Sequence, residues 1–391
     1  MNNPKILIVD DEPFNIDYLQ QELEGLNYET IAAVNGQDAL DKMQAESPDL
    51  ILLDIMMPVM DGFEVLSRLK ANPALRDIPV IVISASNDLQ SVVKGIKLGA
   101  EDYLPKPFEP TLLHARILSS LEKKHLRDLQ KLYLKGLERE LDIAREIQTS
   151  FLPSELPKVG GWEIAIYFKA AREVAGDFYD AFLLPNGDLM CVIGDVCGKG
   201  VGAALFMTLF RSLIRVTATT DNFSVRMDTK TLTSAERLRH IVSFTNRYIV
   251  ETHGDAGTFT TVFIGIIDIK DGMLSYINCG NEPPLLLRDG GVVSTLQPTG
   301  PVVGVFEDAQ FEVKEILIEK NDLLLAFTDG ITDSKNPDEE FFGIERLTAI
   351  LGDRITTSAE LLNKIETQLH QFNGTADQFD DITLMALKRT L

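Results

Sequence analysis

The sequence predicts two folded units of different class, a doubly wound five-stranded parallel α/β sheet followed by an α+β layered domain, joined by a long helix. Short apolar runs alternate with amphipathic stretches over the first 120 residues. A nearly glycine-free stretch follows, and strand-like runs interrupted by paired helical runs fill the remainder. We therefore expect a first domain over 1–120, a helical or coiled-coil linker over 121–152 and a second domain over 153–391.

The strands of the first domain are predicted from continuous apolar runs, which are typical of strands covered on both faces. Three such runs are KILIV (5–9), LILL (50–53) and VIVI (80–83), and weaker strands are expected over 28–33 and 102–104. Amphipathic stretches such as FNIDYLQQELEG and QDALDKMQ separate the strands. Five β/α units in this order predict an open parallel sheet that binds ligands at the carboxyl ends of its strands.

Residues 109–150 contain a single glycine, Gly136, and predict one long helix. Apolar residues three or four positions apart form one seam between charged residues: Leu126, Leu129, Tyr133, Leu137, Leu141, Ala144 and Ile147. Such a seam is typical of a coiled coil, or of a helix that lies against its own domain. We favour a parallel coiled coil in a homodimer, because a connector has little else to bury its seam against.

The second domain is predicted from strand-like runs, such as DLMCVIGDV and FTTVFIGIIDI, joined by helical runs, such as AALFMTLFRSLIRV. Runs of strands interrupted by paired helices indicate an α+β layered fold. Residues 218–234 are polar and weakly patterned, which predicts a loop.

Composition limits the classes of partner. The chain carries 59 acidic and 37 basic residues, and its net charge of −22 argues against nonspecific binding to nucleic acid or to an anionic membrane. No apolar run approaches the roughly 20 residues that span a bilayer. MNNPKILIVDD lacks a basic region, a long apolar region and a cleavage site, so we do not expect it to act as a signal peptide. Three cysteines without a CxxC pair indicate reduced thiols. We therefore expect a cytoplasmic protein with neither nucleic acid nor membrane as a partner.

Carboxylates end two predicted strands of the first sheet. Asp10 and Asp11 follow the first strand and Asp54 ends the third, and these strands are neighbours in a doubly wound sheet. Three like charges in one pocket raise one another's pKa unless a dication is bound, and oxygen-only ligands suit Mg²⁺ or Mn²⁺. Ser84 ends the fourth strand and Lys106 follows the fifth, so a hydroxyl and an ammonium are expected at the same edge.

The motifs IVDDE, LLDIMMPVMDG, VISAS and EDYLPKPF, in this order over the first 120 residues, resemble the receiver domain of two-component response regulators. The resemblance implies that Asp54 is the phosphoacceptor and that a histidine kinase acts upstream. It also implies that Asp10 and Asp11 bind Mg²⁺ together with Asp54 and the main-chain carbonyl of Met56. A carboxylate nucleophile beside a dication fits the in-line chemistry of phosphoryl transfer.

The same resemblance gives roles to residues on the last two strands of the sheet. It implies that Lys106 and the Ser84 hydroxyl hold the phosphoryl group and that Tyr103 is the switch aromatic. The Lys106–Pro107 bond is a candidate cis peptide, because X–Pro bonds allow that isomer.

Four further acids stand at predicted strand ends beside small residues: Asp177, Asp195, Asp329 and Asp380. Strand ends are where a fold can bring acids that are distant in sequence to one dinuclear metal site. A single GD or TDG is more often an ordinary turn. The occurrence of four such acids therefore carries the prediction.

The motifs REVAGDFYD, GDVCGKGVGAALFM, GNEPPLLL, LLLAFTDGITDSKN, FFG and FDDIT resemble PPM-type metal-dependent protein phosphatases, and more closely their stage II sporulation protein E branch. The resemblance implies a β-sandwich flanked by helices, with two Mn²⁺ or Mg²⁺ ions that activate water against phosphoserine or phosphothreonine. It implies that Asp195 bridges both metals and that the Val196 carbonyl supports one. Asp329 and Asp380 would bind the other metal, and Asp177 would contribute directly or through water.

Some positions depart from the family pattern. Asn281 and Glu282 stand where His-Asn is common, and no arginine stands out as a phosphate clamp. Lys199 and Arg172 are the candidate helpers for that task. Asp381 is the less favoured metal ligand of the last acidic pair.

Together the motifs predict a response regulator, phosphorylated on Asp54, that controls a metal-dependent protein serine/threonine phosphatase. By resemblance, the substrate is a STAS-type anti-sigma-factor antagonist, and the alternative is a catalytically silent adaptor that binds such a partner. A transcription factor is disfavoured, because no basic recognition helix follows residue 150. A two-metal nucleotide cyclase is disfavoured, because the acidic pair and purine pocket expected beside AGDF are missing.

Overall fold

The structure, a computed structural model, describes residues 3–85, 89–220, 232–352 and 357–390. It divides into two compact units, Met1–Leu137 and Glu138–Leu391. One long helix, Pro110–Phe151, contains the boundary and joins the units.

The first unit alternates strands and helices in the order β1 (Lys5–Val9), α1 (Pro13–Gly25), β2 (Glu29–Ala33), α2 (Gly36–Glu46), β3 (Leu50–Asp54), α3 (Gly62–Ala71), β4 (Val80–Ala85), α4 (Leu89–Lys97), β5 (Asp102–Lys106) and α5 (Pro110–Phe151). The strands pair in parallel in the order β2-β1-β3-β4-β5. The predicted doubly wound fold is confirmed, and the predicted strand ends lie within two residues of those observed.

Helices cover both faces of this sheet. Leu7 and Val9 of β1 lie in one apolar core with α2 and α3, while Ile6 and Ile8 lie in a second core with α1 and the start of α5. Successive side chains of a strand point to opposite faces, so a strand buried on both faces has no polar position. This burial explains the continuous apolar runs and leaves only the strand ends for polar side chains.

Helix α5 is 42 residues long, so the predicted linker belongs to the same helix that closes the first unit. Leu113 and Ile117 near its start are buried in the core of that unit. Five residues of the predicted seam are 42–72% exposed: Leu126, Leu129, Tyr133, Leu137 and Ile147. The single long helix is confirmed, and the coiled coil stays a prediction.

The second unit contains β6 (Trp162–Lys169), β7 (Phe178–Leu183), β8 (Leu189–Val196), α6 (Val201–Thr219), α7 (Ser234–His253), β9 (Thr260–Ile267), β10 (Met273–Cys279), β11 (Leu285–Arg288), β12 (Gly291–Thr295), β13 (Lys314–Leu317), β14 (Leu323–Phe327), α8 (Gly343–Leu351), α9 (Ser358–Asn373) and β15 (Ile382–Arg389). Its strands form two antiparallel sheets, β13-β10-β9-β8-β7 and β12-β11-β14-β15-β6. Most of the loop predicted over 218–234 lies outside the described residues.

The two sheets pack face to face and carry helices on their outer faces. Ile193 and Phe263 of the first sheet share one core with Leu324 and Met385 of the second. Helices α6 and α7 pack on the outer face of the first sheet, and α8 and α9 pack on the outer face of the second. The expected β-sandwich flanked by helices is therefore confirmed.

Helix α6 is apolar enough, at 19 residues and a mean hydropathy of 1.4, to cross a membrane by length and composition alone. The expectation that no apolar run approaches this length was therefore wrong. Met207, Phe210 and Ile214 of this helix are buried in the core against the first sheet. Packing of that face accounts for its apolar composition.

Candidate functional site

The first carboxylate cluster lies where two neighbouring parallel strands end. Strand β1 pairs with β3 through Val9 and Leu53, so Asp10 and Asp54 emerge side by side. One carboxylate oxygen from each of Asp10, Asp11 and Asp54 lies within 4.8 Å of the other two. The predicted convergence is therefore observed, and three carboxylates form a donor set that fits a hard dication.

Lysine and serine complete this cluster from β4 and β5. The Lys106 Nζ atom lies 3.0 Å from Asp10 Oδ2 and 3.1 Å from Asp54 Oδ2. Burial raises the pKa of Asp54 although Lys106 opposes the shift. Burial also acts to lower the pKa of Lys106, but hydrogen bonding and charge pairing with Asp10 and Asp54 outweigh it, so that pKa is raised. Ser84 is buried at the end of β4, and the Lys106–Pro107 bond is cis.

The segment after β3 passes close to the main chain of the cluster. A Cβ atom on Gly62 would lie 2.2 Å from the Asp54 carbonyl oxygen, so only glycine fits at the start of α3. The Met56 side chain is 78% exposed. Tyr103 is exposed at the surface, with the guanidinium of Arg116 5.6 Å from its ring centroid, and does not join the carboxylates.

The second cluster begins with Asp177, which directly precedes β7 and is almost fully buried. The hydroxyls of Thr328 and Thr383 donate hydrogen bonds of 2.7 and 2.5 Å to its Oδ2 atom. These threonines lie at the ends of β14 and β15. One sheet of the sandwich therefore holds a carboxylate that directly precedes β7, a strand of the other sheet. Burial, and then the charge of Asp195, raise the pKa of Asp177 well above its usual value.

Three more carboxylates surround the same sheet ends. Asp195 lies in β8, Asp329 follows β14 and Asp380 precedes β15, which is the neighbour of β14. Burial, reinforced by the charges of Asp329 and Asp380, raises the pKa of Asp195 to about 7. Burial and the charge of Asp380 raise the pKa of Asp329 as well. Repulsion of this kind is relieved by divalent cations, so the donor set fits a metal centre.

The second cluster is wider than the first. No three described carboxylates at this site bring oxygens within 4.8 Å of one another, as Asp10, Asp11 and Asp54 do. The loop before β7 nevertheless passes close to the end of β8 at Gly176, where a Cβ atom would lie 2.9 Å from the Val196 carbonyl oxygen and 3.2 Å from Asp195 Oδ1.

Asp381 accepts hydrogen bonds from main-chain groups, and its charge adds to burial in raising the pKa of Asp177 and Asp195. Its Oδ1 atom accepts a hydrogen bond of 2.8 Å from the Ala171 N–H group. Its Oδ2 atom accepts one of 2.6 Å from the Gly176 N–H group. Both oxygens are thus engaged by the loop that carries Asp177, and the choice of Asp380 over Asp381 as a metal ligand stays a prediction.

Helix α5 contacts the same loop through Gln148, which sequence reasoning missed. The Gln148 Nε2 atom donates to the Ala175 carbonyl at 2.7 Å, and the Ala175 N–H group donates to Gln148 Oε1 at 2.9 Å. Arg145 Nε donates to the Glu173 carbonyl at 2.8 Å. No spacing rule marks Gln148, whereas Thr328 and Thr383, also missed, stand out as polar residues at the ends of apolar strand runs.

The two candidate helpers are placed differently. The Lys199 Nζ atom lies 2.8 Å from Asp380 Oδ2, at the edge of the cluster, whereas Arg172 is exposed. Glu282, which departs from the family pattern, also interacts with this site. Burial, and then the charges of Asp329 and Asp333, raise the pKa of Glu282.

Comparison with known families matches both parts of the chain. Residues 185–390, more than half of the chain, match the family described as Stage II sporulation protein E (SpoIIE). Residues 6–118 match the response regulator receiver domain.

Two curated relatives match different lengths of the chain. Protein IcfG of Synechocystis sp. is 43% identical over 267 residues, which cover 65% of this chain and 42% of IcfG. The alkaline phosphatase synthesis transcriptional regulatory protein PhoP of Bacillus subtilis is 40% identical over 124 residues, which cover 32% of this chain and 51% of PhoP. The chain thus spans about half of the length of these relatives, or less.

A solved structure agrees with the fold of the second unit. The SiaA-PP2C domain of Pseudomonas aeruginosa matches with a TM-score of 0.54 and 22% identity, over 66% of this chain and 98% of that domain. The sheet order of the first unit, the helix-flanked sandwich of the second and the two sequence matches agree with one another. The chain belongs to the stage II sporulation protein E family and carries an N-terminal response regulator receiver domain.

Proposed function

We propose that phosphorylation of Asp54 controls a metal-dependent protein serine/threonine phosphatase in the same chain. A receiver domain and a phosphatase-family domain make the chain a response regulator with a phosphatase output. The observation that carries the finer proposal is the pair of oxygen-only carboxylate clusters, one in each domain, at strand ends. Each cluster contains a buried acid whose pKa is raised, Asp54 in the first and Asp177 in the second, as expected of sites that bind cations and phosphate.

In the receiver domain, Asp54 is the proposed nucleophile. Its carboxylate oxygen forms a bond to phosphorus while the bond between phosphorus and the histidine kinase's donor nitrogen breaks. The Lys106 Nζ atom lies 3.1 Å from Asp54 Oδ2, where its charge would neutralise one phosphoryl oxygen. The Ser84 hydroxyl would donate a hydrogen bond to another phosphoryl oxygen. Mg²⁺ held by Asp10, Asp11, Asp54 and the Met56 carbonyl would neutralise the remaining charge.

Tyr103 is proposed to report the phosphorylated state. Its ring is exposed on β5, one strand from Ser84, and lies near Arg116 of α5. A change in the Ser84 side chain on phosphorylation would favour a different orientation of this ring.

In the phosphatase domain, five residues are proposed to hold two Mn²⁺ or Mg²⁺ ions: Asp177, Asp195, Val196 through its carbonyl, Asp329 and Asp380. Two such ions would lower the pKa of water and bind the phosphoryl oxygens of the substrate. Thr328 and Thr383 orient one of these carboxylates by hydrogen bonds. Lys199 adds a positive charge at the edge where the phosphate would enter.

The partners follow from the family resemblance. We propose a histidine kinase upstream and, as substrate, a STAS-type anti-sigma-factor antagonist phosphorylated on serine or threonine. A silent adaptor that only binds such a protein is the alternative, and the complete set of carboxylates argues against it. A cytoplasmic location, without nucleic acid or membrane partners, is proposed from the three free cysteines and the net charge of −22.

We also propose that α5 pairs with α5 of a second copy of the chain. Leu126, Leu129, Tyr133 and Leu137 are exposed at coiled-coil spacing. An isolated helical stretch of this length gains most of its stability from packing of its apolar face, and a second α5 supplies an identical face.

The experiment that tests the proposed function measures phosphate release from a serine-phosphorylated STAS-domain protein. Mn²⁺-dependent release that changes when beryllofluoride occupies the receiver, and that Asp329→Ala abolishes, is the expected result. The matched control is Asp308→Ala, which removes an exposed carboxylate of the same domain. Retained turnover in Asp329→Ala would contradict the metal site, and binding without turnover in any state would favour the adaptor.

A further inference from the structure

We propose that an exposed aromatic surface beside the phosphatase carboxylates docks the polypeptide of the phosphorylated substrate. This surface, which we call the aromatic rim, consists of Phe341, Phe379, Lys199 and Lys335. The inference rests on the proposed phosphatase function and adds the place where the protein part of the substrate binds.

The two rings of the rim are exposed yet connected to each other. Phe341 and Phe379 are 54% and 61% exposed. The Nζ atom of Lys335 lies 4.9 Å from the ring centroid of Phe341 and 5.8 Å from that of Phe379. One ammonium thus contacts both rings, so the rings form one patch and not two isolated apolar side chains.

The rim is continuous with the carboxylate cluster. The Nζ atom of Lys199 lies 3.8 Å from the ring centroid of Phe379 and 2.8 Å from Asp380 Oδ2. It also donates a hydrogen bond of 2.7 Å to the Phe379 carbonyl, and Phe379 directly precedes Asp380. A phosphorylated side chain at the cluster would therefore bring its flanking residues, each about 3.3 Å long, across the rim.

The segment that carries Phe341 is held in place before any partner binds. Lys335 and Phe341 form an antiparallel bridge, and the Phe342 N–H group donates to the Ser334 carbonyl at 2.8 Å. The Asn336 side chain accepts hydrogen bonds from two main-chain N–H groups inside the loop. An ordered loop lowers the entropy that a partner must remove on binding.

Position and chemistry favour a phosphoprotein as the occupant. The rim holds two ammonium groups against aromatic faces, and that of Lys199 is paired with Asp380 of the carboxylate cluster. The exposed rings offer contact area to apolar residues that flank a phosphorylated side chain at this cluster. A small phosphate ester would reach the carboxylates without covering the rings.

The test compares two substrates on the full-length protein with Mn²⁺. One is a serine-phosphorylated STAS-domain protein and the other is p-nitrophenyl phosphate. For Phe341→Ala, we expect the ratio of kcat/KM for the protein to kcat/KM for the small ester to fall at least tenfold, mainly through KM. The matched control is Leu183→Ala, an exposed apolar residue at the far end of β7, about 20 Å along the strand from Asp177. This control should leave the ratio within twofold.

Each of the remaining outcomes either supports or overturns the aromatic rim as a docking surface. An unchanged ratio in Phe341→Ala, or an equal loss on both substrates, overturns the rim as a docking surface. Self-association of the wild-type chain that Phe341→Ala abolishes assigns the surface to a second copy and also overturns the proposal.

If the wild type hydrolyses neither substrate, the proposed function fails. Binding of the phosphoprotein to the Asp329→Ala variant then tests whether the rim docks the substrate. A dissociation constant raised tenfold by adding Phe341→Ala would support it, and an unchanged constant would overturn it.

Discussion

At the scale of single residues, neighbouring acids in this chain have different tasks. The charge of Asp380 adds to burial in raising the pKa of Asp195 and Asp329, and its carboxylate pairs with Lys199. Asp381 also contributes to the raised pKa values of Asp177 and Asp195, but both of its oxygens accept hydrogen bonds from N–H groups of the loop before β7. Successive residues of an extended chain point to opposite sides, so a difference within the pair is expected. Which acid faces the site depends on the register of β15 and cannot be read from two adjacent aspartates.

The threonines that hold Asp177 give a prediction about metal affinity. Thr383→Val removes a buried hydroxyl at 2.5 Å from Asp177 Oδ2 and leaves the shape of the side chain. Because groups that orient a ligand contribute to affinity, we expect the Mn²⁺ concentration for half-maximal activity to rise about 10–100-fold. Thr367→Val, which removes an exposed helical hydroxyl, is the control. An unchanged Mn²⁺ titration of Thr383→Val would remove Asp177 from the metal site.

Asp54 gives a second prediction at this scale. Asp54→Asn replaces the only proposed nucleophile, so labelling of the full chain by radioactive acetyl phosphate is expected to fall to background. Asp41→Asn, which changes an exposed carboxylate of α2, should label like the wild type. Continued labelling of Asp54→Asn would assign the phosphoryl group to another residue.

At the scale of helices and strands, sequence patterns predicted what burial dictates. Strands β1, β3 and β4 are buried on both faces, and their apolar runs located them within two residues. The single α5 helix followed from its periodicity. The order of the strands in the two antiparallel sheets was not predicted, because it depends on pairings between distant segments, such as β15 with β6. The contact of Gln148 with Ala175 was missed for the same reason.

Gln148 gives a prediction about signal transfer. The reciprocal hydrogen bonds between Gln148 and Ala175 tie α5 to a loop residue two positions before Asp177. Gln148→Leu leaves the Ala175 N–H and carbonyl groups without these partners, which costs about 1–3 kcal/mol for each buried polar group left unpaired. We expect the effect of beryllofluoride on phosphatase activity to shrink to less than twofold and the requirement for Mn²⁺ to rise.

The control for this prediction lies on the same helix. Glu146→Ala changes an exposed residue of α5 and should preserve the beryllofluoride effect. Thermal unfolding of both variants separates signal transfer from stability, because a purely structural loss would lower the melting temperature without changing the fold-response to beryllofluoride. A full response in Gln148→Leu would exclude this contact from the route.

At the scale of the whole molecule, the clustered carboxylates set how stability depends on pH. The pKa of Asp195 is raised to about 7 in the folded protein, and that of Asp329 is raised as well, above the unfolded values near 3.8. Between pH 3.8 and about pH 7, the folded state therefore binds more protons than the unfolded state. The stabilisation that these protonated carboxyl groups contribute is present at low pH and is lost as pH rises through about 7.

Metal-free protein should therefore melt at a higher temperature at pH 6 than at pH 8. Each additional proton that the folded state binds relative to the unfolded state changes the free energy of unfolding by about 1.4 kcal/mol per pH unit. Mn²⁺ binds the deprotonated carboxylates, so it should raise the melting temperature more at pH 8 than at pH 6. Differential scanning fluorimetry with EDTA or Mn²⁺ measures both effects, and Asp195→Asn should reduce the pH dependence. A higher melting temperature at pH 8 without metal would contradict the assignment.

The oligomeric state links the exposed seam of α5 to the charge of the molecule. A chain of net charge −22 repels its own copies, so association requires an apolar surface large enough to outweigh that repulsion. Leu129 and Leu137, 48% and 42% exposed, are central to the seam. Light scattering after size exclusion is expected to give twice the 43.4 kDa chain mass for the wild type.

Replacing both leucines by glutamate places like charges opposite each other in a parallel pair, which should yield monomers. Lys135→Glu adds a charge change of the same sign at an exposed position outside the seam, so it should leave the dimer intact. Higher salt screens the net repulsion and should tighten the wild-type dimer, whereas a dimer held by surface ion pairs would weaken. A wild type that stays monomeric at high salt and high concentration would contradict the pairing of α5 helices, and control of the phosphatase would then have to act within one chain.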